Sequence, residues 1–231
     1  MKAIDIIEHI DGIINEGVYD LSIFKAIFAA GGSGSGKGFI TSKVTGGLGY
    51  KVINSDDLFE FLMKKSKISL KLAEVPQDVF IPVRDKAKKI TDRKQSMHLD
   101  GRLGVIIDGT AANLGTLQKQ KKMLEDMGYD TYMVFVNTSL DVAMARNKER
   151  ERSVPDDVVK EKWEEVQDNI DKLKGEFGSN FFLIDNNKPL EKDDKVINAT
   201  WKQIMMLSKK KPKNPKAVEW IENELTKKKR K

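Results

Sequence analysis

Residues 22–38 read SIFKAIFAAGGSGSGKG. The first nine form a short, mostly apolar run closing on glycine, the pattern of a buried strand. The next stretch, Gly31-Gly32-Ser33-Gly34-Ser35-Gly36-Lys37-Gly38, keeps the spacing G-x-x-x-x-G-K and runs into a helical pattern over 37–45. Strand, glycine loop and helix in that order is the context in which such a loop holds phosphate. Five glycines in eight residues let the backbone curl until successive N–H groups point inward, and the helix N-terminus adds its positive end. The expected ligand is ATP, held by the loop from Gly31 to Gly38, with Lys37 reaching the β- and γ-phosphates. The bland alternative is a glycine-rich turn that binds nothing.

Working outward, further strands are predicted at Tyr50–Asn54, Leu103–Ile107, Tyr129–Asn137 and Phe181–Ile184. Helical patterns lie between them, over 57–65, 83–98, 113–127, 140–149, 156–173 and 193–207. Pro76 and Pro82 read as breakers, Ser139 as an N-cap and Pro155 as a helix opener. Strand and helix alternate throughout, which predicts a P-loop NTPase-type α/β fold: a parallel sheet with helices on both faces. Ile at 4, 6, 7, 10, 13 and 14 makes an amphipathic stripe in residues 1–20.

In open α/β sheets ligands sit beyond the carboxyl ends of the strands. Two acidic sites fall there. Asp108 ends the third strand and suits a carboxylate aimed at Mg²⁺, or one that only caps a turn. Asp56 and Asp57 follow the second strand. Asp56 suits a general base for an attacking hydroxyl and Asp57 a helix cap, or the two roles are exchanged. Three of the seven arginines fall at 146, 150 and 152. The i, i+4 spacing sets Arg146 and Arg150 on one helix face, with Arg152 off it. They form either a phosphate clamp or the solvated side of a charged helix.

The glycine loop, the Asn54-Ser55-Asp56-Asp57 turn, Arg146-Asn147-x-x-Arg150 and Val154-Pro155-x-x-Val158 together resemble the polynucleotide kinase and zeta-toxin group of P-loop kinases, over roughly residues 22–173. The resemblance implies that Asp56 is the base and that Lys37, Arg146 and Arg150 act on the transferring phosphate. Polynucleotide kinases carry an arginine three residues after the base; here Phe59 stands there. Gly38 replaces the usual Ser or Thr of the loop, as in adenylate kinases, whose loop is similar. Three units are expected: an amphipathic helix (1–20), a P-loop kinase domain (21–208, helical lid about 146–156) and a basic linker with a tail helix (209–231). The expected reaction is ATP-dependent phosphorylation of a hydroxyl on an anionic acceptor: a nucleotide, a nucleotide sugar or a polynucleotide 5′-end. The alternatives are a nucleoside monophosphate kinase of adenylate-kinase type, suggested by Asp108-Gly109 and Gln118, and a non-catalytic ATP-binding module.

Composition bounds the rest. The 231 residues are 39% hydrophobic and 33% charged, with no cysteine, which removes disulfides and Cys-ligated metals and suits a reducing, cytoplasmic setting. No apolar run is long enough for a bilayer, so no membrane partner is expected. The net charge of +6 sits in the tail: residues 209–231 hold ten Lys/Arg against three Glu, and the body is near neutral. That tail is either a weak contact for nucleic acid or a solvated end. Within the body, 64–102 carries eleven Lys/Arg against five acids, including Arg84, Arg93 and Arg102, beside His98. An anionic acceptor explains this surplus, and a solvated amphipathic helix explains it about as well.

Overall fold

The computed structural model describes residues 17–109, 111–188 and 194–229. The expected helix over 1–20 therefore falls almost wholly outside the described residues, as do Thr110 and the end of the basic tail.

Five strands form one parallel sheet in the order β2-β3-β1-β4-β5. They are β1 (Lys25–Ala30), β2 (Lys51–Ile53), β3 (Val105–Asp108), β4 (Asp130–Asn137) and β5 (Phe181–Asp185). All pairings are parallel, so every strand ends at the same edge, and Gly31, Asn54, Asp108 and Asn137 meet there. β1 is central and buried along its whole length, as a strand covered on both faces must be. Its lysine fits that setting by pairing: Lys25 is fully buried and its Nζ meets Asp130, its register partner on β4.

Two cores flank the sheet. On one face Phe24, Ala26 and Phe28 pack with Leu117, Val166, Leu173 and Phe177. These come from α4 (Leu114–Asp126) and α6 (Asp156–Phe177). On the other face Ile27 and Ala29 pack with Ile40, Val44, Ile197 and Ile204, from α1 (Lys37–Val44) and α7 (Lys195–Ser208). A third cluster joins α2 (Ser55–Lys65) to α3 (Gln77–Asp100) around Phe59 and Met63. The remaining helices are α5 (Leu140–Glu149) and α8 (Pro215–Lys229).

Two helix starts and the tail differ from the sequence expectation. Pro76 is the N-cap of α3, but Pro82 lies inside that helix, which starts six residues before the expected 83. Proline removes one backbone donor, and because this turn is exposed the carbonyl left over is open to solvent. α2 begins at Ser55 because Asn54 caps it, accepting from the Asp56 N–H; Asp57 is not the cap. The tail is not a detached end. Ala217 is fully buried, the Trp220 ring meets Phe24 edge-on at 5.6 Å, and Asn214 donates to the Glu125 carbonyl at 3.2 Å. α8 thus covers the sheet edge opposite the strand ends. Among the described residues no helix is long and apolar enough to cross a membrane.

Candidate active site

The loop after β1 is held open by glycine where a side chain would collide. A Cβ on Gly34 would sit 2.3 Å from the Ala143 carbonyl oxygen. Gly36 adopts φ 79°, caps α1 without a side-chain bond, and leaves the first-turn N–H groups of that helix facing the cleft. Asn186, just past β5, donates to the Ser35 carbonyl at 2.7 Å and fixes the loop from outside. Ser35 Oγ is buried without a hydrogen-bond partner among the described residues. The loop lines a cleft of about 510 Å³ together with Asp108, Asp56, Asp57, Arg146 and Arg150. This open cradle of donors fits a polyphosphate.

Lys37 pairs with Asp108 at the bottom of the cleft, and Asn54 donates to the other Asp108 oxygen at 2.9 Å. Asn54 also donates to Asp57 at 3.2 Å. One amide thus caps α2 and ties both acidic sites together. Burial, then the charges of Asp108, Asp56 and Glu60, push the Asp57 carboxyl above the ordinary carboxylate range. Partial desolvation against the cleft wall acts upward on Asp56 too, but the Arg152 hydrogen bonds and the charges of Arg152, Lys37 and Arg84 outweigh it and hold this carboxyl below the usual range. Asp56 is therefore the better-defined anion of the pair. Among the described residues no group of three or more His, Cys, Asp or Glu side chains is gathered as a metal site. Magnesium needs only one or two carboxylates beside phosphate and water, so Asp108 in this cleft fits it. Gly38 offers no side-chain oxygen, and nothing lies within 4 Å of where its Cβ would be.

The arginines differ in part from the helical expectation. α5 ends at Glu149, and Arg150 is its C-cap, where the chain turns extended. Both still line the cleft. Arg146 Nη1 is buried without a partner among the described residues. Arg152, expected off the working face, is the most engaged of the three. Its Nη1 and Nη2 each lie 3.1 Å from an oxygen of Asp56. The loop is held by Asn147, 1% exposed, which donates to the Val154 carbonyl at 2.9 Å and accepts from its N–H at 3.2 Å.

A second cavity of about 340 Å³ opens beside the first and shares Ser33, Asp56 and Arg152 with it. Arg84, Lys88 and Lys162 bring positive charge to its wall, and Phe59, Val154 and Val158 are apolar. Both guanidinium groups lie over the Phe59 ring, Arg84 at 5.1 Å and Arg152 at 5.9 Å from its centre. Of the basic 64–102 segment, Arg84 and Lys88 thus face the site, whereas Arg93 and His98 line neither cavity. Arg102 donates to the Leu99 carbonyl at the far end of α3. Gln118 bonds to Glu176 on α6 at 3.2 Å and has no place in the cleft. The sequence assigns no role to Asn54, Asn147, Asn186 or Lys162. Asn54 and Asn147 lie within the kinase-like motifs, but nothing in the sequence marks an amide that ties two acids together or clamps a loop.

The zeta toxin family model matches residues 23–195, three quarters of the chain. No curated protein matches the sequence. Among solved structures, a putative kinase from Chloroflexus aurantiacus J-10-fl is 14% identical with a TM-score of 0.55, over 79% of this chain and 97% of that one. A gluconokinase from Sinorhizobium meliloti 1021 is 16% identical with a TM-score of 0.50, over 80% and 95%. The AvrRxo1-ORF1:-ORF2 complex with ATP is 14% identical with a TM-score of 0.55, over 77% and 61%. At these identities the structural matches carry the fold, a five-stranded parallel α/β kinase fold, and the family match carries the class. This chain belongs to the zeta toxin family and is a P-loop phosphotransferase.

Proposed function

We propose that the protein transfers the γ-phosphoryl group of ATP to a hydroxyl of an anionic small-molecule acceptor. The observation that carries this is the position of Asp56, on the wall shared by the glycine-loop cleft and the basic second cavity. A base between a phosphate cradle and an acceptor pocket is what transfer to a neutral hydroxyl requires. A monophosphate acceptor, already anionic at the attacking oxygen, needs none.

The loop N–H groups and Lys37 hold the polyphosphate, and Arg146 and Arg150 face it from the α5 side. In-line attack forms the bond from the acceptor oxygen to the γ-phosphorus and breaks the bond to the bridging oxygen, releasing ADP. The hydroxyl proton passes to Asp56. Charge spreads over the transferring group in the transition state, so fixed cations lower the barrier most at that moment. Asp108 is the residue that would hold magnesium, which neutralises phosphate charge when bound. Lys37 leaves its pair with Asp108 for the phosphates when nucleotide enters. Arg84 and Lys88 supply charge where the acceptor lies, in the place of the arginine that Phe59 replaces.

The test is transfer from γ-labelled ATP onto pooled nucleotides, nucleotide sugars, sugar acids and 5′-hydroxyl oligonucleotides. Label should appear on a low-molecular-weight anion, and Lys37→Ala should abolish it. Release of label only as inorganic phosphate, whatever acceptor is present, would refute the proposal.

A further inference from the structure

Arg152 and Asp56 are unequally placed. The Arg152 side chain is 10% exposed and that of Asp56 is 61% exposed, yet they meet through two N–O contacts of 3.1 Å. Both oxygens of the base are therefore engaged by one fork of donors, the geometry that makes an arginine–carboxylate pair strong. A carboxylate held this way is a poor acceptor for a further proton. The Arg152 Nε is buried and has no partner among the described residues. Arg152 also lines the second cavity, where Asp56 is the sole lining carboxylate among the described residues, beside Arg84, Lys88 and Lys162. Lys162 is answered by Glu161 and Glu165 at 3.1 and 2.9 Å, but no carboxylate pairs Arg84 or Lys88 in the described ion pairs. The cavity holds a surplus of positive charge and a buried, unused donor.

We propose that Arg152 is a latch on Asp56, opened when an oxyanion of the acceptor, of phosphate type, enters the second cavity and takes over the guanidinium. The anion meets Arg152 with Arg84 and Lys88, and Asp56 is released beside the acceptor hydroxyl. Water alone brings no anion, so the base stays engaged and ATP is not spent on hydrolysis. The acceptor thus completes the active site that consumes it, an induced fit that trades some binding energy for selectivity. Arg152 thus touches the acceptor's oxyanion and controls the chemistry through Asp56. The inference rests on Asp56 being the base.

The experiment uses the full chain and measures ATP hydrolysis without acceptor, with and without sulfate as the anion probe. Wild type should hydrolyse slowly and be stimulated several-fold by sulfate. Arg152→Gln should hydrolyse several-fold faster than wild type without sulfate and ignore it. Its acid limb in kcat/KM should also move to higher pH, because the main charge holding the Asp56 carboxyl down is gone. The move is partial, since Lys37 from α1 and Arg84 from α3 still face Asp56, with Asp57 beside it. Hydrolysis and acid limb must change together; either one standing still overturns the latch. Should Arg152→Gln fail to fold, Arg152→Lys, which keeps the charge and loses the fork, must show the same two changes at smaller size. Asp56→Asn separates the two readings. If it is inactive while the Arg152 variants behave as wild type, only the latch falls. If it works at the wild-type rate, the base assignment falls with it.

Discussion

Asn147 is the residue whose removal should most clearly link packing to chemistry. Its amide makes both backbone bonds of Val154 and so closes the loop that carries Arg150 and Arg152. Alanine removes two hydrogen bonds and leaves a partly buried N–H and C=O without partners. At about 1 kcal/mol per bond, with part of the desolvation cost added, the loss comes to about 2–3 kcal/mol. For a chain of this size that lowers Tm by roughly 4–12 °C. Below the transition the arginine loop should be present but misplaced, and misplacement on the scale of an ångström costs up to ~10²-fold in rate. Asn147→Asp should do at least as badly, since it sets a carboxylate against the Val154 carbonyl. Thermal melts and steady-state kinetics on both variants check this. A lowered Tm with wild-type kcat would show that the clamp holds the fold and not the arginines. An unchanged Tm would refute the energetic reading of the two bonds.

Other variants test separate parts of the site. Gly34→Ala should disrupt nucleotide binding, because its Cβ meets the Ala143 carbonyl, whereas Gly38→Ser should fold and bind ATP as wild type, because the space there is open; nucleotide titration distinguishes them. Arg150→Lys should lower kcat by roughly 10–100-fold with a much smaller loss of ATP affinity, each tenfold being about 1.4 kcal/mol of barrier. Deleting 209–231 strips Ala217 and Trp220 from Phe24 and should lower Tm by roughly 6–12 °C, about 3 kcal/mol, while kcat stays within a few-fold well below the transition.

The strands were legible because buried parallel strands are continuous apolar runs, and the glycine loop because its spacing and context are both specific. Ser139 was legible as a cap, and it does accept from the Val142 N–H. Other features turn on tertiary distances. Pro82 reads as a stop, yet an exposed helix start tolerates it. Helical spacing placed Arg152 off the site, but the helix ends three residues earlier and the loop turns it inward onto Asp56. The tail reads as charge, and its few apolar residues are the ones that dock. Phe59 reads in sequence as a missing arginine, whereas the two guanidinium groups from other elements that gather on its ring leave no trace in the spacing.

Single-turnover transfer by Asp56→Asn, with Asp57→Asn as its neighbour control, tests the assignment of the base most directly. Asp56→Asn should lose at least ~10²-fold in the chemical step with ATP affinity nearly unchanged, the usual scale for a general base. Asp57→Asn should lose far less. Wild-type transfer by Asp56→Asn, or a large loss confined to Asp57→Asn, would contradict the account.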